Sequence, residues 1–347
     1  MTQAVFAIPG DKDRRTGGFI YEATVLRVLN EIGVETAHLQ LPDSFPEPTA
    51  SDMTTTVDAL CAVPADQAII LDGLVFGAID PAGLAQVRAP VIAMIHHPLG
   101  LETGLPSDRA AFLRANEAAA LKHAAHVIVP SPHTAQVLVQ EFGARPEDIS
   151  IAFPGFDRPL VRRKPANPPL ILSVGLLAER KGHDVLLDAL SRITELNWQA
   201  VIVGKAYDAA VVKGLRDQCD RLGLTGRVVF AGELDASALT AYFNAAHIFA
   251  LATRYEGYGM VLSEAMLFGL PVVSCDVGAV PGTVGAAGIL TPADNPTRFA
   301  SALRQLLEKP ETARHYSGLS KARAEDLPTW TMTAQVFEQV IGRLRVS

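Results

Sequence analysis

The sequence predicts two α/β domains, each a doubly wound parallel sheet with helices on both faces. Short apolar runs alternate with helical patterns along the whole chain, as in parallel strands joined by crossover helices. The chain has 347 residues, of which 49% are hydrophobic. It is therefore too long for one ordinary core and has enough apolar surface for two. A proline-rich break near the middle separates the two series of strands.

The first series contains four apolar runs that predict buried parallel strands. These runs are Val5–Ile8, Ala68–Leu71, Val91–Ile95 and Val127–Val129. Helical patterns lie between them, at Tyr21–Ile32, Asp108–His123 and Thr134–Phe142. Together they predict a first domain over residues 1–160.

The segment Arg162–Pro169 interrupts the alternation with three prolines and three cations, a composition typical of a linker. A second series of apolar runs follows, at Leu170–Val174, Gln199–Val203, Val228–Phe230, Ile248–Ala250, Pro271–Ser274 and Gly288–Leu290. We predict a second domain over residues 161–328 and a closing helix over 329–347 that packs back on the first domain. Because ligands of such sheets bind at the carboxyl ends of the strands, we expect a site in a cleft between two facing domains.

Composition and charge argue against several classes of protein. A net charge of −7 disfavours a nucleic-acid partner. Three widely spaced cysteines, Cys61, Cys219 and Cys275, fit neither a disulfide framework nor a zinc site and are typical of a reducing cytoplasm. The amino terminus lacks the pattern of a signal peptide, and no apolar run has the roughly 18 residues of a membrane span. We expect a cytoplasmic protein, with peripheral contact at the inner face of the membrane as a second option.

The segment Arg254–Gly269 carries the most informative pattern. An apolar run leads into a loop with two glycines and then into a helix that starts near Met260. Glycines let the main chain approach a ligand closely, and the free amides at a helix start bind phosphate. We therefore predict a phosphate-binding loop made of Gly257, Tyr258, Gly259, Met260 and Val261.

Two glutamates flank this loop. We place Glu264 on the first turn of the helix, where its carboxylate can accept hydrogen bonds from the hydroxyls of a ribose. Glu256, eight residues earlier, lies where a sugar attached to the phosphate is expected. The alternative is a pair of solvated glutamates, with Glu264 complementing the helix dipole. The adjacent glycine loop and a second phosphate-binding element favour the binding interpretation.

That second element is the segment Ser173–Asp184, in which another strand runs through a glycine into a helix. Arg180 and Lys181 stand just ahead of that helix, and adjacent cations at such a corner suit a diphosphate. The alternative is a solvated basic pair. The segment is neither a Walker loop nor a dinucleotide-binding fingerprint, because the chain has no GxxxxGK[ST] motif and neither domain opens with GxGxxG.

The motifs YEGYGMVLSEAM, GLPVVSCDVGAVP and VGLLAERKGHDVLLDAL together resemble the retaining glycosyltransferases of family 4, also known as glycosyl transferases group 1. The resemblance extends over essentially the whole chain and is most specific in the carboxyl half. It implies the GT-B architecture of two facing Rossmann-like domains, a nucleoside-diphosphate sugar as donor, and no cofactor or metal ion.

The resemblance also implies roles for individual residues. Glu264 corresponds to the glutamate that holds the ribose, and Glu256 to the one that lies against the donor sugar. Arg180 and Lys181 correspond to the pair that binds the diphosphate. One position departs from many members of the family, since Leu176 stands where they have an arginine, and we expect Arg180 to supply that charge.

The acceptor side is predicted from the ends of the first strands. Gly17 and Gly18 precede a helix that starts at Phe19, and we expect their amides to face the cleft, although paired glycines occur in many turns. His96 and His97 follow the strand Val91–Ile95. The resemblance implies that a histidine at this strand end contacts the donor sugar, and His96 matches that position best, with His97 second.

Asp72 ends another strand and Glu102 follows the histidines, so both are candidates for acceptor contact. The alternative for both is the capping of turns. Three other residues predict structure only: Ser131 caps a helix, Gly155 forms a turn at the end of the first domain, and Trp330 anchors the closing helix.

We therefore expect a metal-independent enzyme that moves a sugar from a UDP- or GDP-sugar to a hydroxyl acceptor with retention of configuration. His96 and Glu256 are the candidate catalytic residues. The first 159 residues hold 10 Lys and Arg against 19 Asp and Glu, a charge of −9, which favours a small-molecule or glycan acceptor over a lipid. The alternatives are a sugar-nucleotide epimerase and a non-catalytic nucleotide-sugar-binding protein; a phosphorylase is disfavoured, because no pyridoxal-phosphate lysine motif is apparent.

Overall fold

The computed structural model describes residues 3–206 and 208–346. The chain divides into two compact units. The first comprises the described residues up to Asp157 together with those from Pro328 onward, and the second comprises Arg158–Leu327.

The first unit is built on a six-stranded parallel sheet. Its strands are β1 (Ala4–Pro9), β2 (Thr36–Leu41), β3 (Ala68–Asp72), β4 (Val91–Met94), β5 (His126–Val129) and β6 (Ile149–Ile151). Their order in the sheet is β2-β1-β3-β4-β5-β6. All residues of β1, β3, β4 and β5 are buried, as expected of Val- and Ile-rich strands covered on both faces.

Six helices of the first unit connect these strands. They are α1 (Gly17–Glu31), α2 (Ala50–Cys61), α3 (Gly73–Phe76), α4 (Pro81–Leu84), α5 (Ser107–Ala120) and α6 (Pro132–Phe142). Ser131 caps α6 by accepting a hydrogen bond from the Thr134 amide at 3.1 Å, which confirms that prediction. A similar cap begins α2, where Thr49 and Asp52 satisfy each other's amides.

The second unit contains another six-stranded parallel sheet. Its strands are β7 (Leu170–Val174), β8 (Gln199–Val203), β9 (Val228–Gly232), β10 (Ile248–Leu251), β11 (Val272–Cys275) and β12 (Gly288–Thr291). Their order is β12-β11-β10-β7-β8-β9, so all six predicted strands are present. Its helices are α7 (His183–Ser191), α8 (Ala209–Arg221), α9 (Ala236–Ala245), α10 (Met260–Leu267), α11 (Val280–Val284), α12 (Pro296–Glu308) and α13 (Pro310–Glu325).

The strand order reverses once in each sheet, and these reversals decide where a ligand can bind. In the second unit β7 lies beside β10, so the connections that leave the carboxyl ends of these two strands diverge to opposite sides. In the first unit the same happens between β1 and β3. Such reversals open a crevice at the carboxyl ends of doubly wound sheets. The loops after β7 and β10, and those after β1 and β3, are therefore the places to look for a site.

The segment predicted as a linker is ordered against the second unit. The amides of Arg162 and Lys164 donate to the side-chain and main-chain oxygens of Asn244 at 2.7 and 3.0 Å. The Ala166 amide donates to Ala245 O at 2.9 Å. These hydrogen bonds hold the segment against the end of α9.

The last helix, α14 (Trp330–Val346), belongs to the first unit. Trp330 is buried at its start and packs edge-on against Tyr21, with ring centroids 5.7 Å apart. The Phe156 amide donates to Pro328 O at 2.9 Å. Trp330 therefore anchors the closing helix, as the sequence predicts. Within the described residues, no helix has the length and apolar character needed to cross a bilayer.

Gly155 gives a test of this arrangement. A Cβ at Gly155 would lie 2.3 Å from Trp330 N and 2.4 Å from its Cα. Gly155→Ala therefore pushes the main chain at residue 155 away from the main chain at Trp330. We expect it to lower the free energy of unfolding by about 2 kcal/mol or more. The control is Gly342→Ala in α14, where a Cβ meets nothing within 4 Å, and alanine should stabilise the helix by up to about 1 kcal/mol. Chemical denaturation followed by circular dichroism measures both, and equal effects of the two changes would contradict the close approach.

Candidate active site

The loop between β10 and α10 has the shape of a phosphate-binding loop. Gly259 adopts a φ of +85° immediately before Met260, the first residue of α10. The first amides of a helix have no acceptor within the helix, so those of Met260 and Val261 are available at this end of α10. A Cβ at Gly278 would lie 2.5 Å from Glu256 O, and the neighbouring Ala279 amide donates to the same oxygen at 2.9 Å. The main chain of the segment just before α11 therefore contacts the loop and supports it.

Glu256, Lys181 and Arg180 form one cluster. The Lys181 ammonium donates to Glu256 Oε1 at 2.6 Å, and Arg180 Nη1 lies 3.7 Å from Glu256 Oε2. Only 7% of the Glu256 side chain and 13% of the Lys181 side chain are exposed. Burial alone raises the pKa of the Glu256 carboxyl, but the charges of Lys181 and Arg180 outweigh it and leave the pKa below its usual value. Three residues predicted from two separate motifs are thus brought into contact.

A left-handed glycine makes this contact possible. Gly182 has a φ of +63°, and a Cβ there would lie 1.9 Å from Ala252 O. The turn that carries Arg180 and Lys181 can therefore press directly onto the end of β10, which no residue with a side chain permits. Arg180, which we expect to supply the charge that Leu176 lacks, reaches the cluster from this turn, and its Nη1 also donates to Tyr255 O at 3.0 Å.

Two residues that sequence reasoning missed support the cluster. The hydroxyl of Thr253, which is fully buried, lies 3.1 Å from both Glu256 Oε1 and Arg180 O. The Arg254 guanidinium binds both carboxylate oxygens of Asp184, at 3.0 and 2.7 Å, and Asp294 Oδ1 at 2.8 Å. Bidentate pairs of this kind fix geometry as well as charge, so Arg254 ties the loop after β10 to the start of α7. A lone arginine or threonine after a strand carries no sequence signal of this role.

Glu264 corrects one prediction. It is the fifth residue of α10 and lies in the second turn, and the first turn contains no acidic residue. The alternative, in which Glu264 complements the helix dipole from the first turn, is therefore wrong as well. Burial raises the pKa of Glu264 to about 7. Among the described residues none donates a hydrogen bond to its carboxylate, so the group is desolvated and still has its acceptor capacity.

The main chain of Tyr258 forms part of the loop, and its side chain is buried in the core. Its ring is buried, its hydroxyl lies 3.2 Å from Ser263 Oγ, and its carbonyl accepts from the Thr283 hydroxyl at 2.6 Å. Gly257 directly precedes it on the loop. These contacts hold the loop backbone that the sequence assigned to phosphate binding.

In the first unit, His96 lies beyond the end of β4 in a cluster with residues of α1. His96 Nε2 lies 3.3 Å from Glu22 Oε1, and the ring packs edge-on against Tyr21 with centroids 5.0 Å apart. Burial lowers the pKa of His96 to about 4, so the imidazole is neutral at pH 7. A Cβ at Gly18 would lie 3.5 Å from the imidazole, which places Gly18 against it.

The glycine pair differs from the prediction. Gly17 and Gly18 are the first two residues of α1, whereas the sequence analysis placed them in a loop before a helix starting at Phe19. The Ile20 amide already donates to Thr16 O at 2.9 Å. The helix starts earlier because Thr16 takes the extended cap conformation.

Asp72 is buried and caps a helix. Its Oδ1 accepts hydrogen bonds from the amides of Leu74 and Val75, at 2.7 and 3.3 Å. Its carboxyl also lies within hydrogen-bond reach of the carboxyl of Glu22, a fully buried residue of α1. Glu22 was missed because it stands inside a helical pattern, where a single glutamate is usually solvated.

His97 and Glu102 form a second group. His97 Nε2 lies 3.9 Å from Glu102 Oε2, and the Thr103 amide donates to Glu102 Oε1 at 3.2 Å. The Leu99 amide, between them, donates to Glu117 Oε2 at 3.1 Å, and Glu117 is fully buried. Burial raises the pKa of Glu117 to about 8. Across the described chain, no group of three or more His, Cys, Asp and Glu residues is arranged to hold a metal ion.

Two family models match this chain. The family model described as Glycosyl transferases group 1 matches residues 159–322, and the model described as Glycosyltransferase Family 4 matches residues 75–158. Together they cover residues 75–322 without a gap, which is nearly all of the second unit and about half of the first. The chain belongs to the family 4, group 1 glycosyltransferases. The family resemblance predicted from the sequence is thereby confirmed.

The curated relatives of this glycosyltransferase are distant. The D-inositol 3-phosphate glycosyltransferase of Corynebacterium diphtheriae is 29% identical over 237 residues, which is 62% of this chain and 55% of the relative. The mannosylfructose-phosphate synthase of Agrobacterium fabrum is 30% identical over 166 residues, 42% of this chain and 37% of the relative. The chain thus spans about half or less of the length of these relatives.

Solved structures confirm the predicted GT-B fold class. A sucrose-phosphate synthase from Thermosynechococcus elongatus has a TM-score of 0.82 at 21% identity, covering 99% of this chain and 100% of that chain. Anabaena Alr3699/HepE in complex with UDP and glucose has a TM-score of 0.78 at 20% identity, with coverage of 99% and 100%. At these identities the likeness establishes architecture alone.

The glycosyltransferase should depend on Lys181 for the charge state of Glu256. In Lys181→Met the buried carboxylate loses its closest cation, so the pKa of Glu256 should rise. We expect a loss of about 2–4 kcal/mol in the free energy of unfolding at pH 8. The loss should shrink as the pH falls through the raised pKa, because the protonated carboxyl no longer needs a cation.

Thermal unfolding at pH 5 and pH 8 measures this effect. The double variant Lys181→Met/Glu256→Gln is the matched control, and it should recover most of the stability at pH 8. A loss that is the same at both pH values and persists in the double variant would contradict the charge pairing.

Glu117 should give the stability of the wild type a pH dependence opposite to that of Glu256, because its pKa is raised and that of Glu256 is lowered. Its pKa is about 8 in the folded chain and about 4.3 in an unfolded chain, so the folded state retains its proton in between. Its contribution to stability is present in full at low pH and is lost as the pH rises through about 8.

In Glu117→Gln, stability should therefore fall less between pH 6 and pH 9 than in the wild type, by about 1–3 kcal/mol. The exposed Glu147→Gln change is the control and should leave the slope as in the wild type. Denaturant titrations at the two pH values measure it, and parallel slopes for Glu117→Gln and wild type would refute the assignment.

Proposed function

We propose that this glycosyltransferase moves a sugar from a UDP- or GDP-sugar to a hydroxyl acceptor, with retention of configuration and without a metal ion. The observation that carries the proposal is the buried cluster of Glu256 with Lys181 and Arg180, next to the amides at the start of α10. A nucleoside diphosphate brings two or more negative charges. A pair of cations beside free helix amides is the arrangement that such a group requires.

The donor is bound by the second unit. The diphosphate lies against Lys181, Arg180 and the amides of the segment Gly257–Val261, and Glu264 accepts the ribose hydroxyls. The negative charge that develops on the leaving diphosphate is stabilised by the same cations and amides. They take the part that a divalent cation plays in metal-dependent transfer, which is why we propose independence from metal.

Glu256 faces the sugar from the other side of the same cluster. Because its two cations keep it ionised, it is an acceptor for sugar hydroxyls and not a proton donor. Among the residues that the structure describes, no second carboxylate in this cluster is placed to act as a nucleophile. The leaving phosphate itself is therefore the group that takes the proton of the incoming hydroxyl, on the face from which it departs, and this gives retention.

The acceptor is assigned to the first unit, with His96 as a hydrogen-bond partner for a substrate hydroxyl. Relatives named above include an inositol-phosphate glycosyltransferase and a mannosylfructose-phosphate synthase, so phosphorylated sugars and cyclitols belong in the acceptor panel. The charge of −9 over residues 1–159 argues against an anionic membrane surface as the acceptor. A small hydroxylated molecule or a glycan fits best.

The test of function is a matrix of nucleotide sugars and acceptors, with release of nucleoside diphosphate as the readout. UDP-glucose, UDP-galactose, UDP-N-acetylglucosamine and GDP-mannose are the donors. Inositol, hexoses, their monophosphates and a short glycan are the acceptors. Transfer should appear in the presence of a chelator, and proton NMR of the product should show the anomeric configuration of the donor.

Four outcomes would contradict parts of the proposal. An inverted product would overturn retention, and loss of activity with the chelator would overturn metal independence. Interconversion of one UDP-sugar into another without an acceptor would favour an epimerase. Binding of donors with no turnover in any combination would favour a nucleotide-sugar-binding protein.

The ribose assignment has its own test. Glu264→Ala should abolish the rise in unfolding temperature that UDP gives the wild type, because a ligand stabilises only the state that it binds. The exposed Glu311→Ala change in α13 is the matched control and should keep the full shift. Because the pKa of Glu264 is about 7, the wild-type shift should grow as the pH rises from 6 to 8. An unchanged shift in Glu264→Ala would show that the ribose is held elsewhere.

A further inference from the structure

Glu22 is a buried carboxyl that the proposed reaction does not use. It lies on α1, its side chain has no exposed surface, and one of its oxygens, Oε2, has no N–H or O–H donor among the described residues. Its other oxygen, Oε1, lies 3.3 Å from His96 Nε2. A buried acid is retained only where something compensates it, so the groups around Glu22 decide what it does.

The contact between Glu22 and Asp72 requires a proton. Both carboxyls are buried, and they lie within hydrogen-bond reach of each other. Two ionised carboxylates offer only acceptors, so one of the two must carry a hydrogen. Burial raises the pKa of Glu22 to about 8 and raises that of Asp72 well above its usual range.

Glu22 Oε1 is an acceptor for His96 whichever of the two carboxyls carries this proton. Asp72 Oδ1 accepts from the two amides that it caps, at 2.7 and 3.3 Å, and such bonds stabilise an ionised carboxylate. Glu22 receives no main-chain donor from the residues that the structure describes. When Glu22 donates to Asp72, its Oε1 is the carbonyl oxygen, and when Asp72 donates to Glu22, Glu22 is ionised; in both cases Oε1 accepts from His96.

The other groups around His96 leave this role to Glu22. The Tyr21 hydroxyl donates to Ala152 O at 2.9 Å and is not available to the ring that it packs against. Gly18 lies against the Cδ2 and Nε2 edge of the imidazole and has no side chain. Nδ1 is engaged by none of the described residues.

We propose that Glu22 is a positioning residue that holds His96 as the neutral tautomer with its hydrogen on Nε2, and so leaves Nδ1 as an acceptor for a substrate hydroxyl. The chain of hydrogen bonds runs from His96 Nε2–H to Glu22, from Glu22 to Asp72 through the proton that the two carboxyls share, and ends at the cap of α3. The ring is thereby fixed in orientation as well as in tautomer, as a histidine is by a partner on its second nitrogen. The consequence for catalysis rests on the proposed function, whereas the tautomer itself does not.

The direct test is the two-bond ¹H–¹⁵N correlation spectrum of the histidine side chains at pH 7, on the full chain without ligand. The His96 signal is identified by its loss in His96→Gln. The expected result is a neutral ring with its hydrogen on Nε2. A ring protonated on Nδ1 alone, or on both nitrogens, would overturn the proposal.

Two variants of Glu22 separate positioning from simple packing. Glu22→Gln keeps an oxygen for Nε2–H and an amide that can donate to Asp72, so the Nε2–H tautomer should persist. Glu22→Met keeps the size of the side chain and removes the acceptor, so the tautomers should mix. An Nε2–H signal that is unchanged in a folded Glu22→Met protein would overturn the proposal.

Activity supplies the second readout. With the donor and acceptor pair found in the matrix above, Glu22→Met should lower kcat about ten- to a hundredfold, while the UDP-induced rise in unfolding temperature stays as in the wild type. Glu22→Gln should retain activity within about threefold. Full activity in Glu22→Met would contradict the positioning role. If no pair gives transfer but the spectra match, the proposed function fails and the assignment of Glu22 stands.

Discussion

The proposed donor site of this glycosyltransferase is built around one buried charge, the carboxylate of Glu256. An ionised carboxyl taken out of water needs a partner at close range, and Lys181 at 2.6 Å is that partner. The pairing joins the loop after β7 to the loop after β10, the two loops at the point where the strand order of the second sheet reverses. In the proposed diphosphate site, a ligand with its own negative charges would meet cations that are already assembled and largely buried, so its binding would require little reorganisation.

Main-chain contacts make this assembly rigid. Gly182 lets the turn with the two cations press on the end of β10, and Gly278 lets the segment before α11 press on Glu256 itself. Arg254 then locks the outer side of the loop through Asp184 and Asp294. Three separate contacts therefore hold the cluster in place. The first unit uses the same means on a smaller scale, since the cap of α3 fixes Asp72, and Asp72 fixes Glu22.

Local patterns predicted the strands that are mostly apolar and missed those that are polar or very short. All six strands of the second sheet were found because each is mostly apolar in sequence, including β9 and β12, which are partly exposed. In the first sheet β2 was missed, since His38 and Gln40 interrupt its apolar pattern and residues 37–40 are exposed or partly exposed at the sheet edge, and β6 is only three residues long. Glu256, Lys181 and Arg180 were predicted because each stands in a glycine-marked loop after a strand. Glu22 and Thr253 were not predicted, because their roles depend on residues distant in the chain and no local motif or spacing marks them.

The central claim is that Lys181 and Arg180, held by Glu256, form the diphosphate site of the second unit. Calorimetric titration with UDP and with uridine, on the wild type and on Lys181→Met, tests it most directly, because the two ligands differ only in the diphosphate. The account predicts that the wild type binds UDP at least about a hundredfold more tightly than uridine, and that most of this advantage disappears in Lys181→Met. Equal affinity for the two ligands in the wild type, or an advantage of UDP that survives in Lys181→Met, would contradict it.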